Sequence, residues 1–125
     1  MKNKEKRVSF NSRNGFYRDF YENGQLRSEG SYKNDKLNGQ YTSYYENGRI
    51  RLKGNYKDGK YHDGLFTSWY ENGQKEVITN KKDGKIDGYH ISWYENGQKE
   101  NEGIYKDGKL VKIIGCWNED GSVIE

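Results

Sequence analysis

The feature that most constrains this chain is a four-residue phrase, Tyr-Glu-Asn-Gly, which opens at Tyr21, Tyr45, Tyr70 and Tyr94 and returns in worn form from Asn118 to Gly121. The steps between copies are 24, 25, 24 and 24 residues. A second mark lies between them: Lys33-Asn34-Asp35-Lys36, Lys57-Asp58-Gly59-Lys60, Lys82-Asp83-Gly84-Lys85 and Lys106-Asp107-Gly108-Lys109. One extra residue near positions 61–63 accounts for the single 25-residue step. A fixed period of this length means that one supersecondary unit is stacked on copies of itself.

Each mark has a backbone meaning, because Asn-Gly and Asp-Gly supply the positive φ angles that tight hairpin turns require. The stretches between them read as strands. Tyr41-Thr42-Ser43-Tyr44-Tyr45, Phe66-Thr67-Ser68-Trp69-Tyr70 and His90-Ile91-Ser92-Trp93-Tyr94 are rich in β-branched and aromatic residues. Arg49-Ile50-Arg51-Leu52-Lys53 alternates polar and apolar residues with period two. Each repeat is therefore strand, Asn-Gly turn, strand, Asp-Gly turn. The whole is an all-β antiparallel meander of about ten short strands, an elongated, twisted single sheet.

Register follows from turn length. A two-residue turn at Asn47-Gly48 sets Glu46 against Arg49, Tyr45 against Ile50 and Tyr41 against Gly54, and by the same count Tyr17 against Gly30 and His90 against Gly103. A ring over a strand glycine fills the gap left by the missing side chain. A three-residue turn with a bulge is the rival; it shifts the pairing by one and exchanges the faces. The two-residue turn is the favoured reading.

Composition agrees with this class and removes others. Gly occurs 16 times and Tyr 12 times, while Pro and Ala never occur, a poor recipe for helix. Leu, Ile, Val and Phe number only 21 of 125, which alone hints at disorder, but 15% aromatic content and a net charge of +3 oppose it. No stretch approaches ~20 apolar residues, and no apolar segment follows the charged start, so the expected location is cytoplasmic. Cell-surface association is the expectation if a leader has been removed from a longer precursor. Cys116 is the single cysteine, which excludes an internal disulfide or a multi-cysteine zinc site and fits a reducing compartment.

Gly30-x-Tyr32-x-x-Asp35-Lys36-x-Asn38-Gly39 resembles the MORN repeat, and the added Tyr-x-Asn-Gly hairpin is similar to its MORN-repeat-variant subfamily. That subfamily is associated with bacterial toxin–antitoxin loci as YwqK-type antitoxins. The resemblance covers residues 15 to 121 and implies an elongated antiparallel sheet used for binding. Departures exist. The MORN histidine position holds Asn38, Asp63, Asp87 and Val111, the last repeat carries Lys112 in place of glycine, and the third replaces Gly-x-Tyr with Thr79-Asn80-Lys81. The expected organisation is a flexible charged tail over residues 1–6 and one repeat domain over 7–125. Its repeats fall near 15–38, 39–63, 64–87 and 88–111, with a degenerate C-terminal cap over 112–125. Residues 8–10 are expected as an opening strand.

Two candidate sites emerge. The first is an aromatic ladder of one ring per repeat, Phe20, Tyr44, Trp69, Trp93 and Trp117, with successive rings about 10 Å apart at two strands per repeat. It reads either as a stacking platform for a partner or as the structural spine of the sheet. A second ladder, Tyr21, Tyr45, Tyr70 and Tyr94, faces the other way and reads as structural. The second candidate is charge. Residues 1–62 carry 14 basic and 7 acidic side chains and residues 63–125 carry 8 and 12, so Arg49, Arg51 and Lys53, with Lys57 and Lys60, are placed to steer an acidic partner or anionic headgroup. The bland reading of these residues is a solvated strand edge.

Catalytic signals are weak. His62 and His90 occupy non-equivalent repeat positions, and the carboxylates belong to turns. No calcium loop, nucleotide-binding glycine loop or nucleophile elbow is present, so neither a catalytic residue, a metal nor a cofactor is expected. The near-balanced charge makes nucleic acid an unfavoured partner. The expected function is a non-catalytic binding module with a protein partner, in its most concrete form a toxin met by an antitoxin or immunity protein. The alternative is a module contacting anionic lipid or glycan at a membrane or cell envelope, and homo-oligomerisation is a third outcome.

Overall fold

The computed structural model describes residues 12–125. The expected tail over 1–6 and opening strand over 8–10 lie outside the described residues. Ten antiparallel strands follow one another: β1 (Gly15–Phe20), β2 (Leu26–Lys33), β3 (Lys36–Tyr44), β4 (Ile50–Lys57), β5 (Lys60–Tyr61), β6 (Gly64–Trp69), β7 (Lys75–Lys82), β8 (Lys85–Trp93), β9 (Lys99–Lys106) and β10 (Lys109–Cys116). They form one open sheet in chain order, with the two-residue β5 pairing only β4. No helix occurs among the described residues.

The two kinds of turn differ. At the Asp-Gly corners Lys57 pairs Lys60, and Asp58 and Gly59 both take positive φ (52° and 83°), as a two-residue hairpin of type I′ demands. At the Asn-Gly turns only the glycine is left-handed; Gly48 has φ 89° while Asn47 does not. The Tyr45 amide donates to the Arg49 carbonyl, and the Gly48 amide donates to the Tyr45 carbonyl. Asn47 Oδ1 accepts the Arg49 amide at 2.9 Å. This is a three-residue loop closed by a glycine bulge, so the two-residue reading is overturned at the tip. Tyr44, and not Tyr45, stands opposite Ile50.

A second bulge follows two residues later and restores the register. Ser43 pairs Leu52 while Tyr44 pairs Ile50, which leaves Arg51 as the extra residue. The same slip occurs beside Arg27, Glu76 and Glu100. Beyond it Tyr41 lies opposite Gly54, Tyr17 opposite Gly30 and His90 opposite Gly103, as the sequence predicts. The fit is close. A Cβ at Gly54 would come within 3.0 Å of the Phe66 ring, and one at Gly30 within 2.9 Å of the Tyr41 ring.

The missing glycine of the last repeat has a structural consequence. Gly15, Gly39, Gly64 and Gly88 take φ between 95° and 117°, whereas their counterpart Lys112 stays out of the left-handed region. Leu37 and Leu110 pair equivalently with Tyr32 and Tyr105, but Gly30 faces Tyr41 while Gly103 faces Ile113, one residue earlier than the repeat would place it. A side chain at this position avoids a strained φ, and the irregularity is divided between Val111 and Ile114.

The sheet has no apolar interior. Among the described residues no hydrophobic side chain is fully buried; the buried positions are Ser28, Ser43, Thr67, Ser68, Thr79 and Ser92, together with strand glycines. Ser28, Ser43, Leu52, Ser68, Val77 and Ser92 form one continuous cross-strand row. Small side chains let long aromatic neighbours lie down over them, and burial is shared among rings.

Candidate functional site

Alternation along the strands sorts the rings into two faces. On one face Tyr17, Tyr32, Tyr41, Tyr56, Tyr61, Phe66, His90 and Tyr105 pack ring on ring. Tyr61 and Phe66 have centroids 4.2 Å apart, Tyr56 and Tyr61 4.7 Å, Tyr41 and Tyr56 5.3 Å, and His90 and Tyr105 5.5 Å. Burial pushes the Tyr56 and Tyr61 phenols above their ordinary range and pulls the His90 imidazole below its own. This tyrosine face is the spine of the molecule, a role the sequence reading left to the regular ladders. Its signal was the ring-over-glycine spacing.

The opposite face carries Tyr44, Trp69 and Trp93, each ending its strand and paired with Ile50, Lys75 and Lys99. Phe20 occupies the same place opposite Leu26, but stands 55% exposed. None of these rings touches another among the described ring contacts. Around them Phe16, Leu65 and Tyr89 are exposed, and Ile78 and Ile91 form a half-buried pair between them. A cleft of about 390 Å³ opens between Trp69 and Trp93, walled by Gln74, Lys75 and the turn glycines Gly73 and Gly97. Trp117 closes the row by lying over Gly115, where a Cβ would come within 2.4 Å of its ring, and the Lys99 ammonium sits 5.7 Å from that ring. Tyr44 is held from the side: Glu29 accepts its hydroxyl at 3.5 Å, and burial raises its pKa.

The second ladder is structural, as expected. The Tyr21, Tyr45, Tyr70 and Tyr94 hydroxyls donate to the carbonyls of Tyr44, Trp69, Trp93 and Trp117, at 2.5 to 2.7 Å. Each of these bonds crosses to the next repeat and fixes the backbone from which an exposed-face ring projects. Asn47, Asn72 and Asn96 add amide bonds to the carbonyls of Glu71, Glu95 and Glu119.

The basic candidates do not share one face. Lys53 pairs Thr42 and Thr67 and so joins the tryptophan face. Arg51 is the extra residue of the bulge, and its charge is felt by Tyr45, Tyr56 and Tyr61. Arg49 lies in the turn and donates to the Glu71 carbonyl at 3.3 Å. The bulge at Arg51 breaks the period-two alternation, which is why the three residues are separated. Fixed charge runs instead along the turns. The lysine pairs Lys33–Lys36, Lys57–Lys60, Lys82–Lys85 and Lys106–Lys109 line the Asp-Gly edge, while Glu22, Glu46, Glu71, Glu95 and Glu119 line the other.

No helix is long and apolar enough to cross a membrane among the described residues. The profile of one family, described as MORN repeat variant, matches four segments of the chain, residues 13–34, 37–58, 63–83 and 86–107. No curated protein matches the chain.

Proposed function

Because the chain belongs to the MORN repeat variant family, whose repeats are generally binding modules, we propose that it is a non-catalytic module that binds a protein partner through its tryptophan face. The observation that carries this is the contrast between faces. Rings on the tyrosine face pack on one another, while Trp69 and Trp93 border an open cleft and Phe16, Phe20, Leu65 and Tyr89 stand exposed elsewhere on the same face. Large apolar side chains left exposed on one face mark an interaction site, and aromatic side chains held by a rigid scaffold make strong contacts. The most concrete version is an antitoxin or immunity protein that occludes a toxin by surface complementarity.

The test is affinity capture with the purified chain. A stoichiometric protein partner is expected, with affinity falling about 30-fold or more in Trp69→Ala or Trp93→Ala, the range of an interface hot spot. No partner, or a partner indifferent to both substitutions, overturns the reading. The lysine-lined Asp-Gly edge favours a second reading, contact with anionic lipid. Flotation with phosphatidylserine vesicles that weakens with salt would support it, whereas glycan binding would depend on Trp69 or Trp93 and hardly on salt.

A further inference from the structure

The 25-residue repeat holds a feature that the other repeats lack. In the regular repeats the residue after the corner lysine is apolar: Leu37, Ile86 and Leu110. Its carbonyl accepts the next corner glycine, as Leu37 does from Gly59 and Ile86 from Gly108. In the longer repeat two residues divide this task. Tyr61 puts its ring against Gly54, where Leu37 covers Gly30 and Leu110 covers Gly103. His62 takes the backbone role and accepts the Gly84 amide at 3.1 Å. The insertion thus frees one side chain from packing, and that side chain is an imidazole.

The imidazole meets two carboxylates. Asp63 Oδ1 accepts the Asp83 amide at 2.7 Å, which leaves Oδ2 turned toward His62 Nε2, 3.7 Å away. One ligand atom each from His62, Asp63 and Asp83 lies within 4.8 Å of the other two. A zinc ion sits ~2.0–2.2 Å from nitrogen and oxygen ligands, so small rotations of these exposed carboxylates bring all three onto one coordination sphere. The chain carries its own comparison. Asp87 and Asp107 repeat the carboxylate-to-corner arrangement, at 3.3 Å, but Ile86 stands where His62 would be.

We propose that His62, Asp63 and Asp83 bind one divalent transition cation of the zinc class. One imidazole and two carboxylates form a mixed donor set suited to such an ion, with a fourth position left for water. Diffuse attraction does not account for the site. Lys36, Lys57 and Lys60 border the same recess and offset Asp58, Asp63 and Asp83, so binding rests on directed coordination. The bound ion would tie the loop after β5 to the β7–β8 corner across neighbouring repeats. Sequence reading could not find this site, since Asp83 lies 20 residues from Asp63 and no ligand-spacing motif joins them.

The untagged chain contains only two histidines, so titration with Zn²⁺ alone can be followed by NMR on their rings. Saturable one-to-one binding is expected, perturbing the His62 ring and sparing His90. Affinity should fall at least about tenfold in His62→Ala and Asp83→Asn and stay unchanged in Asp107→Asn, while Mg²⁺ should leave the rings unmoved. Cys116→Ser excludes the rival recess of about 260 Å³ that His90 and Cys116 both line. Loss of binding in Cys116→Ser with retention in His62→Ala overturns the proposal. So does an undisturbed His62 ring at millimolar Zn²⁺, or equal loss in Asp107→Asn. Circular dichroism of each variant separates lost coordination from lost fold.

Discussion

Along the Asn-Gly edge the repeats are joined through side chains, and along the Asp-Gly edge they are joined largely through backbone. At the first, a tyrosine hydroxyl and an asparagine amide reach to carbonyls of the next hairpin. At the second, corner amides donate to carbonyls and Asx oxygens one hairpin back, as Gly84 does to His62 and Asp83 to Asp63. Joining by side chain demands the same residue in every copy. Joining by backbone leaves side chains free to vary. That is why Tyr-Glu-Asn-Gly recurs four times unchanged, while the other edge tolerates Asn34-Asp35 in place of Asp-Gly and an inserted residue beside His62.

Substitutions at the two edges test this contrast. Tyr70→Phe removes the 2.6 Å bond to the Trp93 carbonyl and should cost about 1–1.5 kcal/mol in urea unfolding. Tyr89→Phe, with its side chain in solvent, should be near neutral. Next comes Gly84→Ala, which places a Cβ at φ 80° and should cost about 1 kcal/mol. Gly84→Asp should cost less, since Asp35 already holds φ 68° at the equivalent corner. Asp87→Ala removes only the 3.3 Å acceptor for the Asp107 amide at an exposed corner, and about 0.5 kcal/mol is expected. A loss there matching Tyr70→Phe would break the contrast between edges.

The smallest effect is a pH dependence. Burial lowers the folded-state pKa of His90, whose Nδ1 has no hydrogen-bond partner, so the unfolded chain binds the proton more readily. The contribution is fully present above the ordinary histidine pKa of ~6.5 and is lost as pH falls through the lowered folded value. The urea midpoint should therefore drop on going from neutral to mildly acidic solution. His90→Tyr, which restores the ring found at Tyr41, should flatten that slope.

The repeat, the hairpins and the ring-over-glycine register were legible because each rests on a residue type with one backbone consequence. The bulges were not. The residue left over at the second bulge is Arg27, Arg51, Glu76 or Glu100, charged residues of either sign that carry no backbone preference for a bulge. The three-residue loop is favoured by the Asn47 side chain capturing the Arg49 amide, a local bond that competes with the type I′ geometry expected for Asn-Gly. The bulge at Arg51 separates Arg49, Arg51 and Lys53, which an unbroken period-two strand would set on one face. Trp69 and Trp93 fall on one side because the segments leading to them, 65–69 and 89–93, alternate without interruption once past Gly64 and Gly88.

The serine row beneath the rings has a thermal consequence. Melting a sheet whose rings are only partly covered exposes less greasy surface to water than melting a closed core, so its heat-capacity increment should fall below the ~12–15 cal/mol/K per residue of ordinary domains. The stability curve should then be a low, broad arch, changing gently with temperature and resisting cold as well as warmth.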